Sequence, residues 1–254
     1  GRVADVVSVT GFILSSMPVG DYDRRVVILS RELGKIAAFA KGARRPNSHL
    51  IGVTRPFIFG TFEVYRGRDS YTIQKANVTN YFEELVSDLD GVLYGYYFAE
   101  LAEYYGRENL DAADMINLLY VAFKALVNKS LPNELVRYIY EIRLIAVNGE
   151  CPDFFSCAGC GSEKELQLYS YKENGMYCVE CAASSGDGIV LQSSTLYTLQ
   201  YIITAPLTKL FNFVVKADVL NELKKVVNRI EFITFDKHFK SKEMLDIGLS
   251  LIHI

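Results

Sequence analysis

Four of the five cysteines stand in two pairs, and both pairs have the spacing of metal ligands. Two residues separate Cys157 from Cys160 and Cys178 from Cys181, and seventeen residues lie between the pairs. A two-residue gap lets both sulfurs of a pair turn toward one ion, and a hairpin between the pairs folds the second against the first. Because four thiolates fill a tetrahedral shell, we predict one structural Zn²⁺ with no open position for catalysis.

Two other interpretations of these cysteines remain open: two redox pairs, or four unrelated core cysteines. Gly159 and Gly161, in and next to the first knuckle, favour the metal. Cys151 stands outside the pattern, and we interpret it as a packed free thiol. An odd number of cysteines with four in CxxC pairs suits a reducing cytosol better than a disulfide framework.

A second group of residues could bind phosphate. Lys41, Arg44 and Arg45 follow a predicted strand, Gly42 permits close approach of the backbone, and Pro46 ends the strand. This composition predicts a phosphate-contacting loop at a barrel rim, although a run of charges is often only a solvated surface. The full set of predicted nucleic-acid-binding residues is Arg24, Arg25, Lys35, Lys41, Arg44, Arg45, Arg66 and Arg68.

The charge is distributed unevenly along the chain. The formal net charge is −3, from 27 basic and 30 acidic residues, and a sequence pI of about 5.7 alone argues against nucleic-acid binding. Residues 1–80, counting Arg2, contain 12 basic and 6 acidic residues and are therefore +6, while the remainder is −9. The asymmetry favours nucleic acid as a partner of the first segment.

Aromatic residues of the first segment could stack on bases or fill its core. Phe57 and Phe59 alternate onto one face and are predicted to be core residues. Tyr65 and Tyr71 flank the turn that contains Arg66 and are the predicted stacking residues.

The pattern of the first 80 residues predicts short strands separated by turn-forming residues. A five-stranded open sheet of this length would leave two unprotected edges, so we predict a closed barrel of the OB type. Gly34 is expected to adopt positive φ in a tight hairpin, and Pro18 to begin a turn. The predicted strands are Val3–Leu14, Val26–Ser30, Lys35–Ala40, Arg55–Val64 and Tyr71–Asn77.

After Asn80 the hydrophobic period changes to that of helices. Asp111 and Asn133 are predicted N-caps, and Gly149 follows the end of a helix. The expected class is thus α+β: an OB-fold DNA-binding domain at 1–80, and a helical domain at 81–254 with a zinc-binding segment at 151–188. The predicted helices are Leu85–Tyr105, Ala112–Val127, Glu134–Asn148, Ser194–Ala205, Ala217–Ile230 and Ser241–Leu249.

Common catalytic motifs do not occur in the sequence. Phosphate-binding loops, dinucleotide fingerprints, zinc-protease motifs and nucleophile elbows are missing, and the three histidines (His49, His238, His253) are isolated, so we expect no enzyme. The longest charge-free run, Gly188 to Thr208, contains polar residues and predicts a buried helix rather than a membrane span. No secretory leader opens the sequence, which favours the cytoplasm.

Together these segments resemble the RecO family of bacterial recombination mediators. The resemblance rests on the AKGARRPNS run at Ala40–Ser48, the turn Arg66–Asp69, the two CxxC pairs, and the late segment His238–Leu245. It extends over nearly the whole chain. Since the cysteines are not universal in the family, the chain resembles its zinc-bearing members.

The resemblance implies a non-enzymatic role in DNA repair. A member would bind single- and double-stranded DNA without sequence preference through the barrel, and would anneal complementary strands. With RecR it would promote loading of RecA onto DNA coated with single-strand-binding protein (SSB), whose acidic C-terminal tail would contact the helical domain. The implied location is the bacterial cytoplasm, in association with the nucleoid.

Two other functions are compatible with the same residues. A zinc-containing RNA-binding protein associated with ribosomes or transcription would also use a basic barrel and a zinc ribbon, and it would prefer RNA at matched salt. A nuclease would need an acidic metal cluster and magnesium-dependent cleavage.

Overall fold

The computed structural model describes residues 5–252, which form two compact units. The first contains residues 5–127 and 239–252, and the second is Asn128–His238. Val3 as a strand start, Arg2 in the charge count, and His253 lie outside the described residues. The proposed division of folding domains after residue 80 stays a prediction.

The first unit begins with a closed five-stranded barrel, as predicted. Its strands follow the order β1-β2-β3-β5-β4, and β4 pairs with β1 to close it. Neighbours are antiparallel except β3 and β5, which are parallel. This is the connectivity of an OB-type barrel. The strands are β1 (Val6–Val19), β2 (Asp23–Ser30), β3 (Gly34–Ala40), β4 (Phe59–Arg66) and β5 (Tyr71–Asn80).

Several of the predicted strand boundaries were wrong, including the start of β2, which is Asp23 and not Val26, and the end of β5, which is Asn80 and not Asn77. β1 continues to Val19 because its second half pairs only with β2, and an edge of this kind tolerates Pro18, which lies opposite Arg24. β4 begins at Phe59 instead of Arg55 because Phe57 adopts a left-handed conformation with φ 76°. The predicted turn at Gly34 is confirmed, with φ 67°.

Alternate residues of the strands fill the barrel. The buried cluster includes Val9, Val26, Ile36, Phe62 and Ile73. Their neighbours in sequence point outward, as the period of two requires. Where no helix covers it, the outer face of the barrel therefore carries polar and cationic side chains such as that of Arg25.

Four helices complete the first unit: α1 (Glu83–Val86), α2 (Leu89–Tyr105), α3 (Ala113–Asn128) and α9 (Lys240–Ile252). The Asp111 carboxylate accepts a hydrogen bond from the Ala113 N–H at 2.9 Å, as expected of an N-cap. Helix α9 packs against α2. Aromatic rings, including those of Phe57 and Phe59, join the barrel to α3: Phe12, Phe57, Phe59, Phe82, Tyr120 and Phe123.

The second unit combines helices with a small sheet of order β7-β6-β8. Helices α4, α6 and α8 pack together, and α4 buries an ion pair between Arg137 and Glu141 at 3.1 Å. Asn133, predicted as an N-cap, is the first helical residue, and Pro132 precedes it. The elements are α4 (Asn133–Val147), β6 (Leu166–Ser170), β7 (Gly175–Cys178), α5 (Val179–Ala182), β8 (Ile189–Val190), α6 (Ser193–Thr204), α7 (Leu207–Leu210) and α8 (Ala217–Thr234).

Across residues 5–252, none of the helices has both the length and the apolar composition needed to span a bilayer. The charge-free run contains α6, preceded by the short strand β8.

The turn at Gly34 predicts a large effect of a small substitution. A Cβ atom there would lie 2.2 Å from the Arg107 carbonyl oxygen, in a conformation that L side chains rarely adopt. We expect Gly34→Ala to lower the free energy of unfolding by about 2 kcal/mol or more, measured by urea denaturation followed by circular dichroism. Gly52→Ala is the control, because no atom lies within 4 Å of its added Cβ. Equal stability of the two variants would contradict the prediction.

Candidate metal centre and nucleic-acid interface

The four cysteines of the two CxxC pairs come together in the second unit. Cys157 and Cys160 lie in the loop before β6, Cys178 ends β7, and Cys181 lies in α5. Their sulfur atoms all lie within 4.8 Å of one another. The strand pairing of β6 with β7 and a bridge between Cys157 and Met176 bring the two pairs together. The cluster could therefore hold a metal ion.

One sulfur–sulfur distance matches that of a tetrahedral zinc site. Sulfurs bound to zinc at about 2.3 Å lie about 3.8 Å apart, and the Sγ atoms of Cys160 and Cys178 are 3.8 Å apart. A Cβ added at Gly159 would lie 2.9 Å from the Cys181 sulfur, so a glycine is needed beside the cluster. Gly161 adopts φ 79° and completes the turn of the first knuckle.

The surroundings of Cys157 favour its thiolate form. Burial opposes ionisation of Cys157, but N–H groups of Cys178, Cys160 and Gly159 donate to its sulfur and lower its pKa to about 6. The donors Gly159 and Cys178 each lie 3.3 Å from this sulfur. The Cys157 side chain in turn raises the pKa of Cys181 to about 12. Deprotonation of all four cysteines would therefore require a bound cation to offset the repulsion between the thiolates.

Cys151 takes no part in the metal cluster. Burial raises the pKa of its thiol to about 12, so the thiol stays protonated at neutral pH. A buried neutral thiol is a weak nucleophile.

Five of the eight predicted phosphate-binding residues lie at one end of the barrel, which we call the loop end. Arg24 and Arg25 follow the first residue of β2 and lie opposite Ala40 and Phe39 at the end of β3. The chain then continues from β3 into the cationic loop. The five residues are Arg24, Arg25, Lys41, Arg44 and Arg45.

The other three cations lie away from the loop end. Lys35 is the second residue of β3, six residues or about 20 Å of extended chain from Lys41. Its ammonium donates to the Glu103 carbonyl at 2.9 Å. Arg66 and Arg68 belong to the turn between β4 and β5. Strand β5 begins at Tyr71, opposite Ala38, and runs parallel to β3. The turn before β5 therefore lies toward the Gly34 end of the barrel. The cations predicted from sequence thus form two groups.

Within the loop end the cations differ in what they contact. The Arg44 guanidinium donates to the carbonyl oxygens of Asp23 at 3.0 Å and Gly20 at 2.5 Å, and Arg24 donates to the Thr54 hydroxyl at 3.2 Å. The side chains of Arg25, Lys41 and Arg45 are exposed. These three are the cations best placed to meet phosphate.

An open depression adjoins the cationic loop. Its volume is about 750 Å³, and its lining includes Lys41, Arg45, Asn47, Ser48 and His49. His49 shares a hydrogen bond of 2.9 Å with the Gln74 carbonyl. The lining presents N–H and O–H donors as well as charge, a composition suited to phosphate oxygens.

The two predicted stacking residues have different environments. Tyr71 is only 5% exposed and its hydroxyl donates to Glu108 at 3.1 Å, so the prediction that it stacks on bases was wrong. Tyr65 is half-buried on the outer face of the barrel. It shares a row of paired residues with Thr72, Phe39 and Arg25. Sequence reasoning did not single out Tyr22, which lies 3.9 Å from the Arg45 guanidinium.

Comparison with known proteins identifies the family. Residues 5–82 match the family model described as "Recombination protein O N terminal", and residues 86–243 match "Recombination protein O C terminal". The chain is 30% identical over 241 residues to the DNA repair protein RecO of Acetivibrio thermocellus, covering 93% of this chain and 94% of the relative. It is 27% identical over 244 residues to that of Bacillus subtilis, covering 96% and 95%. The chain therefore belongs to the RecO family.

Proposed function

We propose that this protein is a non-catalytic recombination mediator that binds DNA at the loop end of its barrel. Family membership supports a role in DNA repair and recombination. The observation that carries the DNA-binding proposal is the grouping of exposed Arg25, Lys41 and Arg45 at one end of the OB-type barrel. The proposed substrates are single- and double-stranded DNA in the bacterial cytoplasm.

The proposed contacts are made to phosphate and not to base edges. Each neutralised phosphate releases counterions from the DNA, which supplies affinity independent of sequence. A surface of this kind also lowers the repulsion between two strands and so promotes annealing. Arg66 and Arg68, on their separate turn, are proposed as secondary phosphate contacts, and Lys35 as the weakest because its ammonium already binds a carbonyl.

The proposed protein partners are RecR, the acidic C-terminal tail of SSB, and indirectly RecA. These partners follow from the family, in which the helical domain contacts the tail. The separate charges of the two segments, +6 and −9, are consistent with different partners for each.

We also propose that Cys157, Cys160, Cys178 and Cys181 hold one structural Zn²⁺. The ion would join the loop before β6 to β7 and to α5, a four-residue helix that has no buried side chains of its own. Because all four ligands come from the protein, the site has no position for a substrate or for activated water.

The DNA-binding proposal predicts a change in salt dependence. Arg25→Glu combined with Lys41→Glu should weaken binding to a single-stranded oligonucleotide and lower the slope of log affinity against log salt by about two, one for each lost phosphate contact. Fluorescence anisotropy at several salt concentrations measures both quantities. The matched control is Lys224→Glu with Lys225→Glu, an exposed pair on α8 with the same change in charge. Similar losses in both double variants would contradict binding at the loop end.

The mediator proposal predicts that annealing survives coating of the strands. The parent protein should anneal complementary oligonucleotides coated with SSB, and RecR should increase the rate of RecA loading. Annealing is followed by the quenching of paired dyes, and RecA loading by its ATPase activity. On strands coated with SSB that lacks its C-terminal tail, annealing and RecA loading should both be slower. Equal rates with and without the tail would contradict the tail contact.

The zinc proposal predicts one zinc per chain in protein purified without chelator, measured by atomic emission. Cys178→Ser should lose the metal and unfold at a lower temperature, because metal binding and folding free energies are coupled. Cys151→Ser is the control and should retain one zinc, since Cys151 lies outside the cluster. A Cys178→Ser variant with full zinc content and unchanged stability would show the prediction to be wrong.

A further inference from the structure

Tyr22 occupies an unusual position at the loop end. It lies in the turn between β1 and β2, and 45% of its surface is exposed. The Arg45 guanidinium carbon lies 3.9 Å from the centre of its ring. The ring of Tyr22 thus contacts a cation at a turn tip instead of filling the core.

The backbone on both sides of Tyr22 is held by neighbouring residues. Arg44 contributes three donors: its N–H to the Tyr22 carbonyl at 2.8 Å, Nε to Asp23 and an Nη to Gly20. The Asp23 carboxylate accepts a hydrogen bond from the Gly42 N–H at 2.7 Å. The turn is therefore fixed before any ligand arrives, which lowers the entropic cost of binding.

The neighbouring arginines 44 and 45 thus have different roles. Arg44 holds the turn through backbone carbonyls, while the exposed Arg45 side chain lies over the ring of Tyr22. Gly42, between β3 and Arg45, adopts φ 68°, a conformation that L side chains rarely adopt, so a glycine is required in this turn. A tyrosine ring and a guanidinium plane are both surfaces on which bases stack.

We propose that Tyr22 and Arg45 form a stacking platform for one unpaired base of single-stranded DNA. This proposal rests on the proposed function and extends it, because the platform would make the loop end of the barrel prefer single-stranded DNA over duplex DNA. A base within a duplex has both faces covered by its neighbours, whereas a base in a single strand can offer one. The cations beside the platform, Arg25 and Lys41, supply the phosphate contacts.

A single fluorophore can test the platform directly. The chain contains no tryptophan, so Tyr22→Trp introduces one reporter at the turn. Saturation with an unlabelled single-stranded oligonucleotide should quench its emission strongly, and an equal mass of duplex should quench it much less. The control is Tyr81→Trp, another exposed tyrosine of the first unit, which follows the end of β5. Its emission should stay unchanged.

Substitutions that separate stacking from charge give the second test. Tyr22→Ala should lower single-strand affinity by about fivefold to a hundredfold, the range for one lost base stack, while the salt slope stays the same. Tyr22→Phe should retain the affinity. Arg45→Lys keeps the charge but loses the planar face, so affinity should fall without a change in slope.

The outcomes distinguish the platform from DNA binding itself. If the parent binds single strands but Tyr22→Ala binds them equally well and Tyr22→Trp is not quenched, the platform is wrong and the DNA-binding proposal stands. Equal losses of single-strand and duplex affinity in Tyr22→Ala would also overturn the platform, since they indicate a structural role for the turn. If the parent does not bind DNA at all, both proposals fail.

Discussion

The antiparallel pairing of β2 with β3 is the constraint on which the arrangement of the first unit depends. The pairing starts at the Gly34 turn and continues to Arg24 opposite Ala40. In this register Val26 and Ile28 point into the barrel and Arg25 points outward. A slip of one residue would exchange the two faces, bury a guanidinium and expose the apolar side chains. The grouping of cations at the loop end therefore follows from the packing of the barrel core.

Much of the fold and of the metal cluster could be predicted because the signals are local. Strand alternation, the helical period and the CxxC spacing each reflect interactions between residues close in sequence. The N-cap at Asp111 is of the same kind. These features were recognisable in the sequence without knowledge of any distant contact.

The parts that could not be predicted depend on contacts between distant residues. Arg44 and Arg45 are adjacent and chemically identical, yet Arg44 binds carbonyls of a turn more than twenty residues earlier and Arg45 lies over Tyr22. Tyr71 belongs to the barrel core, and its hydroxyl donates a hydrogen bond to Glu108, which lies beyond α2. Pro18 lies within a strand because β4 does not extend alongside it. None of these contacts can be predicted from the residues next to them in sequence.

The path of the chain has a consequence for biosynthesis. Residues 128–238 are inserted between α3 and α9, and α9 returns to pack on α2, where Phe239 contacts Tyr97 and Tyr104. During translation the surface of α2 that receives α9 stays uncovered until the ribosome has made the whole second unit. The first unit therefore starts to fold before the second unit is made, but its packing is complete only after α9 has been synthesised. A nascent chain that stalls within the insertion would present an apolar surface to chaperones.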